Sequence, residues 1–223
     1  MIENIDTIGK LAIEHLTLKH AARERALPKS RAAIRYCANS IRATHRQEFE
    51  SARQLQAQAA ALLQEMNDDL CDHQDIYYAG FVQDAQKEYA EAILFTALVQ
   101  GHELPTTEAL NIGWPSYLNG LAEAVGELRR YLLDQLRRGS FERCEDFLSS
   151  MDDIYALLIT VDFPDAVTGG LRRSTDSTRS ILEKTRGDLT TALSQAQLER
   201  SLQELHSALA RYAPFIAQQD ESK

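Results

Sequence analysis

Cysteine, proline, glycine and tryptophan are all scarce in this chain, and each scarcity argues against a class of protein. Cys37, Cys71 and Cys144 are odd in number, widely spaced and outside any paired metal motif, which suits a reducing compartment better than a disulfide framework. Only 5 prolines and 10 glycines punctuate 223 residues. No Ser/Gly-rich linker divides the chain, and the stretches between prolines favour the good helix formers Ala, Leu, Glu, Gln and Arg. One all-helical domain over residues 1–223 is therefore expected, with residues 214–223 fraying after Pro214. No run approaches the 18 or so consecutive apolar residues of a membrane span, and the opening MIENIDTIGK lacks a basic segment followed by an apolar one. A soluble cytoplasmic protein with no membrane partner is expected. Positive charge is in deficit as well: the formal net charge of −9 argues against a generally polybasic nucleic-acid binder, while leaving room for a basic stripe on an acidic body.

Helical periodicity then orders the chain. A first helix over 3–26 places Ile5, Ile8, Leu11, Ala12, His15, Leu16 and Ala22 near one face, and should stop or bend before Pro28. Ser30 is a candidate N-cap for a second helix, SRAAIRYCANSIRATHR, with Ile34, Cys37 and Ile41 as its apolar stripe. Arg31, Arg35, Arg42, His45 and Arg46 fall within roughly a 100° arc beside that stripe. Such a face is either solvated and ion-paired, with Glu48 and Glu50 as partners, or a phosphate-binding surface, since arginine forks match phosphate oxygens. A third helix, from about Gln47 to Leu70, ends in NDDLCDHQD, an acidic end without the glycine and terminal glutamate of a calcium loop.

The stretch AGFVQDAQKEYAEAILFTAL, residues 79–98, is different in kind. It reads as a buried helix, yet from Ala90 to Leu98 it is interrupted by the polar residues Glu91 and Thr96. Glu88 and Glu91 share one helical face, with Asp84 one turn earlier. Two carboxylates so close need a positive partner, which could be a hard cation such as Mg²⁺ or an arginine. After Gly101, a loop leads to Thr106 or Thr107 as a helix start. The helix from Ser116 then carries Glu123 and Glu127 on one face, followed by a second cationic group, Arg129, Arg130, Arg137 and Arg138. Those arginines could bind phosphate or neutralise the carboxylates. Gly120 and Gly126 in that helix suggest close approach of another backbone. Ser140 is a candidate cap for the next helix, and the last helical region, from Leu171, is expected to break near Gly187.

The segments SRAAIRYCANSIRATHR, GFVQDAQKEYAEAILF, YLNGLAEAVGELRR, LRRGSFERCEDFLSSMDDIY, FPDAVTGGLRRSTDSTR and KTRGDL, in this order from Ser30 to Thr191, resemble the translin family. The resemblance is specifically to prokaryotic single-gene members of its translin-associated factor X branch. It implies one domain of about seven helices, a homo-oligomeric shell (an octamer), and single-stranded RNA, with single-stranded DNA as a further ligand. For the factor X branch it also implies an endoribonuclease dependent on Mg²⁺, or Mn²⁺ in its place. The catalytic and metal-binding pair implied is Glu88 and Glu91 in KEYAEA. The third residue implied is Glu142 in GSFE, where Ser140 stands in place of an expected aspartate, leaving Asp84, Glu123 or Glu127 to compensate. The alternative is a noncatalytic translin-like binding oligomer whose carboxylates are held in structural ion pairs.

Overall fold

The computed structural model describes residues 4–220, with side chains through Arg211. Six long helices and three single-turn ones account for the elements among the described residues: α1 (Ile5–His45), α2 (Phe49–Leu70), α3 (Gln74–Tyr77), α4 (Phe81–Gln100), α5 (Thr107–Leu110), α6 (Trp114–Arg137), α7 (Cys144–Thr160), α8 (Asp165–Thr168) and α9 (Leu171–Asp220). No helix among them is long and apolar enough to cross a membrane.

The sense of packing follows from side-chain bonds between helices. Ser30 Oγ donates to the Phe81 carbonyl and Thr44 shares a 2.8 Å hydrogen bond with Thr96, so α1 runs parallel to α4. Ser116 donates to the Gln83 carbonyl and Phe95 meets Tyr131, which makes α6 parallel to α4. Ser174 donates to Asn119 and Arg129 to Thr185, which makes α9 parallel to α6. Running the other way, α2 is tied to α1 by Ser40 on the Ala52 carbonyl and by Lys29 between Glu65 and Asp69. The core lies among these helices around Met66, Leu94, Phe95, Leu121, Leu128, Leu132 and Met151, all fully buried.

Three expected helix boundaries are corrected. Pro28 lies inside α1, so the first two expected helices are one. Ala22, Ala26 and Ala33 are fully buried on both sides of it, and this packing outweighs the lost backbone hydrogen bond and ring clash, a cost of about 3 kcal/mol. Ser30 is consequently not a cap but a buried link to α4. Ser140 caps nothing either: it is exposed in the turn after α6, and α7 starts only at Cys144, with Arg143 at the cap position. Gly187 does not interrupt α9, because Leu182, Thr185 and Leu189 bury one face of that helix on both sides of it. The expected helix start at Thr106 or Thr107 and the expected end at Gly101 are observed, with Thr106 as the cap and Gly101 left-handed, while α4 begins at Phe81 rather than Ala79. The expected fraying over 214–223 falls on side chains outside the described residues.

Two helical ends extend beyond the packed body. Every described α1 residue before Ala22 is unburied, including Ile5, Ile8, Leu11, Ile13, Leu16 and Leu18, and α9 has no buried residue from Thr190 to Arg211. Since α1 and α9 share one direction, these extensions leave the body from opposite ends.

Candidate metal centre

The site is built where α4 and α6 approach most closely, and Gly120 permits that approach. A Cβ at this position would lie 2.6 Å from the Lys87 carbonyl oxygen and 2.7 Å from the Ala90 Cβ. Gly126, by contrast, has only the tip of Ile181 near it, at 3.9 Å, so the close approach expected there does not occur. With the helices this near, the Glu88 and Glu91 face of α4 meets Glu123 on α6. Carboxylate oxygens of the three lie within 4.8 Å of one another.

The two polar residues of the apolar run on α4 meet opposite fates. Thr96 is fully engaged: it bonds Thr44, accepts from Gln56 at 2.9 Å and donates to the Ala92 carbonyl. Glu91, only 9% exposed, has no hydrogen-bond or ion-pair partner among the described residues, and neither has the half-buried Glu88. Burial, reinforced by the charges of Glu88, Glu123 and Glu127, pushes the Glu91 carboxyl up to about 8. Burial, then Glu123 and Asp84, raises Glu88 as well. Lys87 reaches across to Glu123 at 2.7 Å and is the cationic neighbour that offsets part of this repulsion.

Glu127 lies one turn beyond Glu123 and is held differently. The His45 Nε2 lies 2.5 Å from its carboxylate and keeps that carboxyl below its ordinary range, while Arg130 stands at 3.7 Å. This corrects the expectation for His45 as a phosphate contact. It lies at the edge of the arginine arc nearest Ile41, and there the ring turns inward against Phe95, 4.8 Å between centroids, with its Nδ1 buried and unpartnered. Arg46 folds back on Glu48, as a solvated face allows. Arg31, Arg35 and Arg42 are exposed and have no carboxylate partner among the described residues, Arg42 donating to Asn39.

Among the described residues, only one member of the second cationic group links helices. Arg129 joins α6 to α9 through Asp188 and Thr185, Arg130 approaches Glu127, and Arg137 approaches Asp134 at 3.3 Å. Arg138 is exposed without an ion pair among the described residues.

Glu142 does not join the cluster. α6 continues from Glu123 to Arg137 before the turn that carries Glu142 begins, about 21 Å further on at 1.5 Å per residue. Glu142 and Ser140 are both exposed there, and Glu123 takes the third position. Asp84 is exposed one turn before Glu88, near enough to raise its carboxyl but outside the group of three.

Glu91, Glu123 and Glu127 open into a cavity of about 440 Å³ whose far wall is α9, with Arg173, Ser174, Ser177 and Ile181. Arg173 also lines an adjoining cavity of about 420 Å³ with Asp84, Lys87 and Asn119. Neither Lys87 nor Arg173 was among the site residues expected from sequence. The i, i+4 spacing of Arg173 and Ser177 shows only that they share a face, not that the face looks onto α6. The donor set fits a hard cation: three carboxylates, all oxygen ligands, each offering an oxygen within 4.8 Å of the other two.

The fold and the site together define an all-helical protein with a carboxylate centre between two parallel core helices. The chain belongs to the Translin family, which it matches over residues 25–186. It is 28% identical over 201 residues to an uncharacterized protein of Methanocaldococcus jannaschii, covering 89% of each chain. It is also similar to AfC3PO in a complex with duplex RNA, at 32% identity and a TM-score of 0.77, over 83% of this chain and 96% of that one. Apo-NeC3PO, at 19% identity and a TM-score of 0.74 over 86% of this chain and 98% of that one, shares the fold.

Proposed function

We propose that the protein is a cytoplasmic, metal-dependent endoribonuclease of the factor X type, acting on single-stranded RNA and also binding single-stranded DNA within a homo-oligomeric shell, an octamer by family resemblance. The observation that carries this reading is the unpartnered Glu91 facing Glu88 and Glu123 in a helix whose other buried polar side chains, Gln86 and Thr96, both have hydrogen-bond partners. An RNA complex of a relative at 32% identity supports the ligand class. Glu88, Glu91 and Glu123 would hold Mg²⁺ or Mn²⁺, and Glu127, oriented by His45, would stand beside them. A bound cation of this kind supplies charge to a phosphate oxygen and lowers the pKa of a bound water. Lys87 holds Glu123 in place against α4, while Arg31, Arg35 and Arg42 offer exposed charge to a phosphate backbone. The second reading, a binding shell without catalysis, is favoured by the Lys87–Glu123 pair, which already engages one of the three carboxylates.

Cleavage of labelled single-stranded RNA in Mg²⁺, Mn²⁺ or EDTA separates the two. The wild-type protein is expected to cleave only with metal, and Glu88→Gln with Glu91→Gln to lower the rate by about a hundredfold or more while RNA affinity is retained. Glu142→Ala is expected to cleave normally. RNA binding without metal-dependent cleavage in the wild type would select the noncatalytic shell.

The exposed arginines carry a separate expectation. Replacing Arg31, Arg35 and Arg42 by Ala should weaken binding to single-stranded RNA and flatten its logarithmic salt dependence by roughly 2, at about 0.7 per lost phosphate contact. An unchanged slope in a salt titration would assign these arginines to the solvated surface alone.

A further inference from the structure

A cavity of about 470 Å³ at the start of α4 and α6 is lined by chemistry of a different kind from the carboxylate centre. Its size is that of a small-ligand site, about 300–1,000 Å³. Tyr78 ends α3 and Trp114 opens α6, so both rings are carried on fixed backbone. Both line the cavity, yet they are 70% and 59% exposed. Each is braced by an aromatic neighbour in a T-shaped pair, Tyr78 by Tyr77 at 5.0 Å and Trp114 by Tyr117 at 5.9 Å between centroids. Hydrogen-bonding groups share the cavity with these rings. Gln86 is only 3% exposed; its amide nitrogen donates to the Tyr77 hydroxyl at 2.8 Å, and its carbonyl oxygen has no partner among the described residues. Glu108 accepts hydrogen bonds from its own amide and from the Thr106 and Thr107 hydroxyls, which hold its carboxyl below the ordinary range, so it is ionised and can only accept. No lysine, arginine or histidine among the described residues lines the cavity.

This cavity is continuous with the metal centre. Gln83 and Ser116 line both it and the cavity of Lys87 and Arg173, which in turn shares Glu123 with the carboxylate groove. Along α6, Trp114 precedes Glu123 by about 13 Å at 1.5 Å per residue. Resting on the reading of the protein as a binder of single-stranded RNA, we propose that the cavity receives one unpaired base of the strand, stacked against Tyr78 and Trp114, with Arg173 beside the phosphates that lead from it to the carboxylate centre. Stacking accepts any base, because every base has a π face. The hydrogen-bonding groups do not. Glu108 and the Gln86 carbonyl both accept, which suits an exocyclic amino group such as cytosine N4, whereas O4 of uracil would set a further acceptor against them. With a carboxylate and no cation, the cavity repels phosphate, so the base and not the backbone enters it. Pairing covers that base edge, so the strand must be single there.

Trp114 is the one tryptophan of the chain, so its fluorescence reads the cavity directly. The full-length protein is titrated in EDTA, which keeps strands intact, with oligocytidylate, oligouridylate or an abasic strand of the same length, and affinity is followed by polarisation of an end label. Oligocytidylate should quench Trp114 and bind several-fold more tightly than oligouridylate, while the abasic strand should bind through its phosphates without quenching. Tyr78→Ala should weaken oligocytidylate binding about fivefold or more, Tyr78→Phe should keep the wild-type affinity, and Glu108→Gln should erase the preference for cytidylate. No quenching by oligocytidylate, equal affinity for the two strands in the wild type, or full quenching by the abasic strand overturns the proposal. A tryptophan signal that follows protein concentration and ignores the strands overturns it too, and assigns the cavity to a contact between copies. Cleavage is assayed separately in Mg²⁺. Quenching without cleavage would sink the nuclease reading and leave the base pocket, and cleavage without quenching would do the reverse.

Discussion

Uptake of Mg²⁺ at pH 7 is expected to release close to one proton, read by calorimetry in two buffers of different ionisation enthalpy. With its carboxyl pushed up to about 8 by burial and by Glu88, Glu123 and Glu127, Glu91 is mostly protonated at pH 7 in the metal-free protein. A cation among these groups favours the ionised form, and the proton leaves. The same shift determines how metal-free stability depends on pH. Below the ordinary glutamate range near 4.5, folded and unfolded chains both hold the proton. Between there and about 8 only the folded chain holds it, so stability is lost as pH rises through this window. The slope is at most about 1.4 kcal/mol per pH unit for one proton. Glu88, raised for similar reasons, adds a change of the same sign. Thermal unfolding should therefore occur at lower temperature at pH 8 than at pH 5.5 without metal, and Mg²⁺ should recover much of the difference. Glu91→Gln should remove the proton release and flatten the pH dependence. Absence of Mg²⁺ or Mn²⁺ uptake by the wild-type chain would leave the carboxylates without a metal role.

Gly120→Ala is expected to be among the most damaging small substitutions in the protein. The added methyl would stand 2.6 Å from the Lys87 carbonyl oxygen and 3.0 Å from the Glu91 nitrogen, and helical backbone cannot yield as a flexible side chain can. The helices must separate, at a cost of about 1–3 kcal/mol or more. Because Glu88 and Glu91 come from α4 and Glu123 from α6, the same movement opens the cluster, so metal affinity should fall by about tenfold or more. Gly187→Ala is the control. Nothing lies within 4 Å of a Cβ there, in the middle of a continuous helix, and the change should stabilise by about 0.4–1 kcal/mol. Urea denaturation of both variants with Mg²⁺ titration checks the pair. Equal stability of the two would mean that Gly120 does not set the spacing of α4 and α6.

Sequence alone determined the features that arise within one helix. Glu88 and Glu91 share a face because they are three residues apart, Thr96 and Glu91 stand out because their neighbours are apolar, and Gly120 is costly in a helix unless something comes close to it. The ordered segments of the arginine-rich, carboxylate and LRRSTDSTR stretches likewise sufficed for the family, which the match over residues 25–186 shows. Tertiary structure alone decided which groups meet across helices. Nothing local distinguishes Glu123 from Glu142 as the third carboxylate: the choice follows from the parallel packing of α4 on α6, which brings Glu123 to Glu91 and leaves Glu142 beyond the end of α6. His45 belonged to the arginine arc by angle, yet Glu127 on another helix turned it inward. Pro28 and Gly187 looked like helix breaks because propensity counts only local costs, and the buried residues on either side of each hold the helices continuous. Spacing along one helix is set by covalent geometry, whereas meetings between helices depend on burial summed over the whole core, which no single segment contains.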